Sequence, residues 1–187
     1  MRSTIALTAA LLALVAGAPA AVAADRGGVA HEVYREGFLI GFSLGAGDLG
    51  PDPCRDCGLG VGGDFHIGAM ASREVAVMLE GSFVTRDDVT HGLFGVAAQF
   101  WPDPAGRFWL KGGIGVGSLD DDNDTFIDPL DTGHTNNHVY PTVFGGAGVE
   151  VVRSGRFTID IQARGAATFQ HGDTGHSVSL NVGLNWY

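Results

Sequence analysis

Basic residues are scarce in this chain, and their scarcity excludes one large class of function. Lysine and arginine together number 11 against 21 aspartates and glutamates, which gives a formal net charge of −10. Binding to a phosphate backbone needs clustered lysine and arginine, so a nucleic-acid partner is excluded. Long apolar runs are also missing after the N-terminus, where no stretch approaches the roughly 18 to 20 apolar residues that a membrane helix needs.

Cysteine is equally rare, with 2 residues, Cys54 and Cys57, in one short segment. In an exported protein the default expectation for such a pair is a disulfide that closes a small loop. The competing hypothesis is a zinc or copper site, which His134 and His138 of a later connection would complete with tetrahedral geometry. The sequence leaves both hypotheses open.

The N-terminus has the features of an export signal. Arg2 precedes an apolar stretch over residues 5–15, and residues 21–23 have the small-x-small pattern that signal peptidase recognises. We therefore predict that residues 1–24 form a cleaved signal peptide and that residues 25–36 form a periplasmic segment. A retained membrane anchor is the disfavoured alternative, because the apolar run is too short to span a bilayer.

After this segment, apolar side chains alternate with small or polar ones in eight successive runs. A period of two held over about ten residues indicates a strand with two unlike faces, since a helix would spread these residues around its circumference. The seventh run is the clearest, with Phe157 and Ile159 alternating with Thr158 and Asp160. The sixth is the least regular, because Phe144 falls on the polar face, where a bulge or an inward aromatic would account for it.

The connections between the runs alternate in length. Tight turns that alternate with longer polar loops are typical of an up-and-down membrane barrel, with its turns in the periplasm and its loops outside. We therefore predict an all-β fold, a closed eight-stranded antiparallel transmembrane β-barrel, over residues 37–187. The short connections are residues 71–73, 102–106 and 153–156, and the mostly longer ones are 48–57, 86–91, 119–138 and 170–175.

A soluble barrel of the lipocalin kind also has alternating strands, but it turns its apolar face inward. In this sequence, aromatic residues mark the apolar face near both ends of the runs, as in the girdles at membrane interfaces. The polar face carries charges that a closed interior accommodates when they pair, whereas lipid does not. The membrane barrel is therefore favoured.

The chain ends in residues 182–187, VGLNWY, which place apolar residues at alternate positions before an aromatic. With the strand pattern and the loop alternation, this ending makes the chain resemble the small eight-stranded outer-membrane barrels, such as the OmpA transmembrane domain and OmpX-like proteins. The resemblance implies an outer-membrane location, contact with outer-membrane lipid, and recognition of the terminal aromatic by the barrel-insertion machinery. The apolar register ends on Trp186, with Tyr187 one residue out of phase.

Four charged residues of the polar face fall at related depths along neighbouring runs. Glu150 and Asp160 flank one tight turn, and Lys111 lies on the run next to Glu150. We predict a lumen charge network of Lys111, Glu150 and Asp160 with Arg164 above it, since unpaired charges there would cost several kcal/mol. The functional alternative is a proton or ion path.

An acidic segment, DDDNDTFIDPLD, fills residues 120–131 of the third long connection. Its carboxylates fall on the spacing of the oxygen ligands of a calcium loop. The usual glycine of such a loop is replaced by threonine and no flanking helices are predicted, so a solvated acidic loop is the alternative. The candidate calcium ligands are Asp120, Asp122, Asp124, Asp128 and Asp131.

Catalysis by a nucleophile needs a base and an orienting group within reach. His176 and Ser177 are adjacent in a strand, so their side chains point to opposite faces. We therefore predict a non-enzyme with a structural and surface-interaction role, whose acidic external loops bind divalent cations or external ligands, and no cofactor other than calcium. The alternatives are an outer-membrane lipid-modifying enzyme and a small-solute channel.

Overall fold

The eight alternating runs form eight long strands in the computed structural model. The structure describes residues 35–50, 59–86, 89–121, 139–170 and 173–187. The predicted signal peptide and the first ten residues of the predicted periplasmic segment lie outside this part of the chain. The strands are β1 (Phe38–Gly50), β2 (Gly60–Met70), β3 (Val75–Arg86), β4 (Val89–Phe100), β5 (Phe108–Asp121), β6 (Tyr140–Ser154), β7 (Phe157–Gln170) and β8 (Asp173–Trp186).

Each strand pairs with the next in the chain, and β8 pairs with β1 to close the barrel. All eight pairings are antiparallel, and at the seam Ile40 lies opposite Trp186 while Gly50 lies opposite His176. Closure pairs the hydrogen-bonding groups of both outermost strands, so that no edge remains exposed. The predicted closed eight-stranded antiparallel up-and-down barrel is confirmed.

The predicted alternation of connection lengths is wrong at two places, because only residues 87–88 separate β3 from β4 and only residues 171–172 separate β7 from β8. Main-chain pairing continues through the polar ends of these strands, to Arg86 opposite Val89 and Gln170 opposite Asp173, since a ladder does not require apolar side chains.

Successive residues of each strand point alternately into the barrel and outward, as the period of two predicts. In β3, Ala76, Met78 and Glu80 are buried in the interior, whereas Val77 and Leu79 are about half exposed on the outside. The same alternation runs round the barrel, so apolar side chains cover the outer wall and most interior side chains are polar. This is the reverse of the arrangement in a soluble barrel.

Phe144, which interrupts the polar face of β6, points into the lumen and is 6% exposed. Its ring lies against Gly95 of β4 and Gly113 of β5, where a Cβ would overlap the ring. The glycines of the two neighbouring strands therefore provide the space for an inward aromatic, which was one of the two explanations that the sequence allowed.

A β-bulge lies further along β6, but it does not account for Phe144, because the register with β7 is regular from Thr142 to Glu150. The register with β7 shifts between Glu150 and Val152, so Val151 has no partner and both valines lie on the outer wall. Without the extra residue, regular alternation from Glu150 would turn Arg153 outward. The bulge turns Arg153 inward, where its Nε lies 3.1 Å from the Glu150 carboxylate.

Helices long and apolar enough to cross a bilayer are not found among the described residues.

Candidate functional site

Three groups of side chains can be distinguished among the buried or nearly buried residues of the lumen, at successive heights. The central cluster comprises Asp64, Glu80, Lys111 and Arg164. The short-turn cluster lies at the end of the tight turns and comprises Arg35, Trp101, Glu150, Arg153 and Tyr187. The mouth cluster lies at the end of the long connections and comprises His91, Thr142, Thr168 and Ser177.

Two acidic and two basic side chains neutralise one another in the central cluster. Lys111 Nζ lies 2.7 Å from Glu80 Oε2, and Arg164 bridges the carboxylates of Glu80 and Asp64. The residues are at most 6% exposed. Removing such charges from water costs several kcal/mol per ion unless each is compensated, and the four charges compensate one another.

The partners of Lys111 differ from those predicted. Lys111, Glu150, Asp160 and Arg164 are all buried in the lumen, but Lys111 pairs with Glu80 of β3 rather than with Glu150 of the adjacent strand. In the register of β5 with β6, Lys111 lies opposite Gly146, while Glu150 lies one position beyond the Phe108–Val149 pair, so the two charged residues are not at the same depth. The long Lys111 side chain instead reaches across a lumen this narrow. Counting along neighbouring strands does not capture these contacts.

Asp160 lies directly opposite Glu150 in the register of β6 and β7, as the position of the turn predicts. Its carboxylate does not pair with Lys111 directly; Oδ2 accepts a hydrogen bond of 2.9 Å from Asn185 Nδ2 on β8. Asp160 is therefore held by a neutral donor on a neighbouring strand.

Glu150 is the centre of the short-turn cluster and is completely buried. It pairs with Arg35 at 2.7 Å and with Arg153, while Trp101 Nε1 and the Tyr187 hydroxyl both donate to its Oε1 at 3.2 Å. The alternating pattern does not predict that Arg35, Trp101 and Tyr187 belong to this cluster. Tyr187 carried a signal, because it falls out of phase with the outward apolar register and therefore points inward.

A chain of hydrogen bonds runs through the mouth cluster. Thr142 Oγ1 donates to the Tyr140 carbonyl at 3.1 Å, and Thr168 Oγ1 lies 2.7 Å from Thr142 Oγ1. Thr168 therefore donates to Thr142 and accepts from His91 Nε2 at 2.7 Å. In the neutral His91 ring, Nδ1 is then the acceptor for the Ser177 hydroxyl at 2.8 Å.

Ser177 thus has a histidine partner that the sequence analysis did not identify, because His91 is contributed by β4, far away in the chain. A hydroxyl next to an unprotonated ring nitrogen is the arrangement of a nucleophile and its base. In this barrel, however, Ser177 and His91 are only 6% and 1% exposed and point into the lumen. The second ring nitrogen faces the Thr168 hydroxyl rather than a carboxylate.

Asp64, His66 and Glu80 bring their ligand atoms within 4.8 Å of one another, close enough to hold a metal ion. Lys111 and Arg164 already neutralise both carboxylates, and an ion would have to displace them. This group is therefore better described as part of the central cluster than as a metal centre.

Most of the candidate external sites lie outside the described residues. Asp120 is close to the end of β5, opposite Thr90 of β4. The remaining calcium candidates and the cysteine pair fall in parts of the chain that the structure does not describe, namely Asp122, Asp124, Asp128, Asp131, Cys54 and Cys57.

Comparison with solved structures identifies proteins of the same fold. Neisserial surface protein A superposes with a TM-score of 0.59 at 11% identity, covering 80% of this chain and 96% of that protein. The N-terminal β-barrel domain of OprF from Pseudomonas aeruginosa gives 0.52 at 15% identity, covering 81% and 98%. Ail, the attachment invasion locus protein of Yersinia pestis, solved with the heparin analogue sucrose octasulfate, gives 0.50 at 12% identity, covering 81% and 99%.

No protein-family model matches the sequence, and no curated protein matches it either. The resemblance to the small eight-stranded outer-membrane barrels is confirmed at the level of the fold.

Proposed function

We propose that the chain is an integral outer-membrane β-barrel protein with a structural and surface-interaction role, exported by its signal peptide. The observation that carries this proposal is the apolar outer wall. Phe38, Leu44 and Ile114 are 57%, 57% and 70% exposed there. An apolar surface that surrounds the molecule would cause aggregation in water, whereas lipid matches it.

The fold shared with Neisserial surface protein A and the OprF barrel domain supports the outer membrane as the location. In this setting the tight turns face the periplasm and the long connections face outward. The lipid of that membrane and the machinery that inserts barrels into it are the expected partners.

The lumen supports a structural role over the two alternatives. A small-solute channel needs an open path, and the central cluster instead brings paired charged side chains together across the middle of the barrel. A lipid-modifying enzyme needs its nucleophile where lipid can reach it, and Ser177 is buried inside the barrel with its hydroxyl on His91.

The external end favours cations as surface ligands. Aspartate is frequent in the sequence at this end, and Arg86, the last residue of β3 and one of the few basic residues here, is already paired with Asp48 of β1. The other carboxylates repel one another, and divalent cations relieve such repulsion most directly. Calcium bound by the acidic loop, with the cysteines oxidised to a disulfide, remains our proposal for this end.

Surface labelling tests the location and the orientation. Single cysteines at Asp122 or Asp173, in a chain whose own cysteines are replaced by serine, should react on intact cells with a membrane-impermeant maleimide. A cysteine at Ser154 in the same background is the matched control and should react only after lysis. Labelling of Ser154 alone on intact cells, or a purified protein that is monomeric without detergent, would contradict the proposal.

Protease protection tests the cation. Millimolar calcium should slow cleavage within residues 119–138, and the triple change Asp120→Asn, Asp122→Asn and Asp124→Asn should abolish that protection. Equal cleavage with and without calcium would mean that the loop is only a solvated acidic segment. Protection by zinc together with free thiols would replace the calcium site by one formed from cysteine and histidine.

A further inference from the structure

Arg35 is buried although it precedes the first strand. It is 3% exposed, and its terminal nitrogens donate to the carbonyl oxygens of Pro104 and Gly106 at 2.7 and 3.0 Å and to Glu150 Oε2 at 2.7 Å. Arginine is almost never buried to this extent unless its charge and its donors are satisfied. Two main-chain oxygens of one turn and a carboxylate of β6 accept from the terminal nitrogens, whereas Arg35 Nε has no hydrogen-bond partner among the described residues.

Aromatic rings complete the surroundings of this side chain. The guanidinium carbon lies 4.6 Å from the centre of the Trp101 ring and 5.9 Å from that of Tyr187. The two rings meet edge to face, with centroids 5.8 Å apart. Burial, and after it the Glu150 carboxylate, raises the pKa of the Tyr187 hydroxyl well above its ordinary value, so this group stays protonated and donates to Glu150.

The geometry points to a guanidinium-binding pocket at the short-turn end of the barrel, with Arg35 as its tethered occupant and as the plug of this end. A planar guanidinium matches several acceptors at once and stacks on aromatic faces, whereas an ammonium is a compact point charge that does neither as well. The ligand class is therefore the guanidinium group, whether on Arg35, on a peptide arginine or on a free small molecule.

The walls of the pocket do not depend on Arg35. They come from the β4–β5 turn, from β6 and from the C-terminal residue, and Arg153 still compensates Glu150 from the same strand. The tether gives Arg35 a high effective concentration, which keeps other guanidinium groups out of the intact protein. The barrel that lacks this side chain should keep an empty pocket open to ligands from solution.

Chemical rescue tests the pocket. Refolded full-length Arg35→Ala should unfold at a lower temperature than wild type. Millimolar methylguanidinium should raise the midpoint temperature of unfolding of this variant by about 2–4 °C, because it binds only the folded state. The shift should level off as the pocket becomes saturated. Methylammonium at the same concentration should do less, and wild type should respond to neither. The double variant Arg35→Ala with Trp101→Leu, which lacks one aromatic wall, should lose the response.

Three outcomes would overturn the proposal. They are equal shifts with methylguanidinium and methylammonium, an equal response of wild type and Arg35→Ala, and an undiminished response without Trp101. If Arg35→Ala does not refold alone, its refolding yield is measured with each additive: methylguanidinium should restore folding and methylammonium should not, and equal yields with the two would overturn the proposal. Surface labelling and detergent dependence do not enter this test, so it fails or succeeds independently of the proposed function.

Discussion

Glu80 is the residue on which the central cluster depends. It is completely buried and is the one carboxylate there that contacts both Lys111 and Arg164. Its sequence context, a glutamate on the polar side of a strand, resembles that of several other acids and does not reveal this role. The role arises from two cations contributed by strands that are not its neighbours.

Glu80→Ala should cost about 3–5 kcal/mol of stability, because it leaves two buried cations with a single carboxylate. The double change Glu80→Leu with Lys111→Met should recover part of the loss, as measured by urea unfolding in lipid vesicles. Glu36→Ala is the matched control: its pair with Arg73 spans 3.6 Å between side chains that are 62% and 76% exposed, so it should cost less than about 1 kcal/mol. If the stability losses of Glu80→Leu and Lys111→Met measured separately add up to the loss of the double change, Glu80 and Lys111 do not interact.

Gly113 and Gly112 provide a second comparison between single residues. A Cβ at Gly113 would overlap the Phe144 ring and a carbonyl of β4, whereas nothing lies within 4 Å of a Cβ at Gly112. Gly113→Ala should therefore lower the unfolding free energy by about 1–3 kcal/mol through overpacking. Gly112→Ala should change it little, and equal effects of the two changes would show that Phe144 does not occupy the space over Gly113.

Among the elements, β6 departs most from a regular strand, and each departure has a packing reason. Its inward aromatic occupies space left by glycines of β4 and β5, and its bulge turns Arg153 toward Glu150. The inward aromatic could be predicted from the sequence, because Phe144 interrupts the polar face. The bulge could not be predicted. Valine at both 151 and 152 suits either the bulged or the regular register, because both side chains are apolar.

Deletion of single residues tests the bulge. Removing Val151 should be tolerated, because the ladder with β7 becomes regular while Glu150 and Arg153 keep pointing inward. Removing Val149 should prevent folding, since it turns the buried Glu150 to the outer wall. Gel mobility before and after boiling reports whether a compact barrel has formed. Folding of both deletions, or of neither, would contradict this account of the bulge.

At the scale of the whole molecule, the closed wall and the filled lumen act together. Closure satisfies the main chain without water, and the interior satisfies its own charges in the central and short-turn clusters. Surface ligands are therefore expected at the connections between strands, and lipid at the outer wall.

A filled lumen predicts the electrical behaviour of the reconstituted protein. Wild type in planar bilayers should show no steady open-pore conductance, because Arg35 occupies the short-turn end and the central cluster occupies the middle. The leak in protein-free bilayers is the control. A steady ohmic current that scales with protein content would favour the small-solute channel over the structural role.

The sequence by itself determined which side chains face out and how the strands follow one another. A period of two assigns each residue to a face, and connections too short to cross the barrel favour an up-and-down order. The sequence overestimated the lengths of the β3–β4 and β7–β8 connections, where polar residues at the strand ends belong to the ladder. It also determined that Lys111, Glu150, Asp160 and Arg164 are interior residues, since each falls on the polar side of its strand. The face of each residue and the order of the strands depend only on residues that are close in the sequence or paired between adjacent strands.

Only the tertiary structure decided which interior residues meet. Lys111 reaches Glu80, Ser177 reaches His91, and Arg35 enters the barrel to reach Glu150. These contacts join strands that are not adjacent, or a segment that precedes the sheet altogether. The tilt of the strands and the lengths of the side chains decide them, because a narrow closed lumen brings residues together by their depth and direction, which no local period encodes.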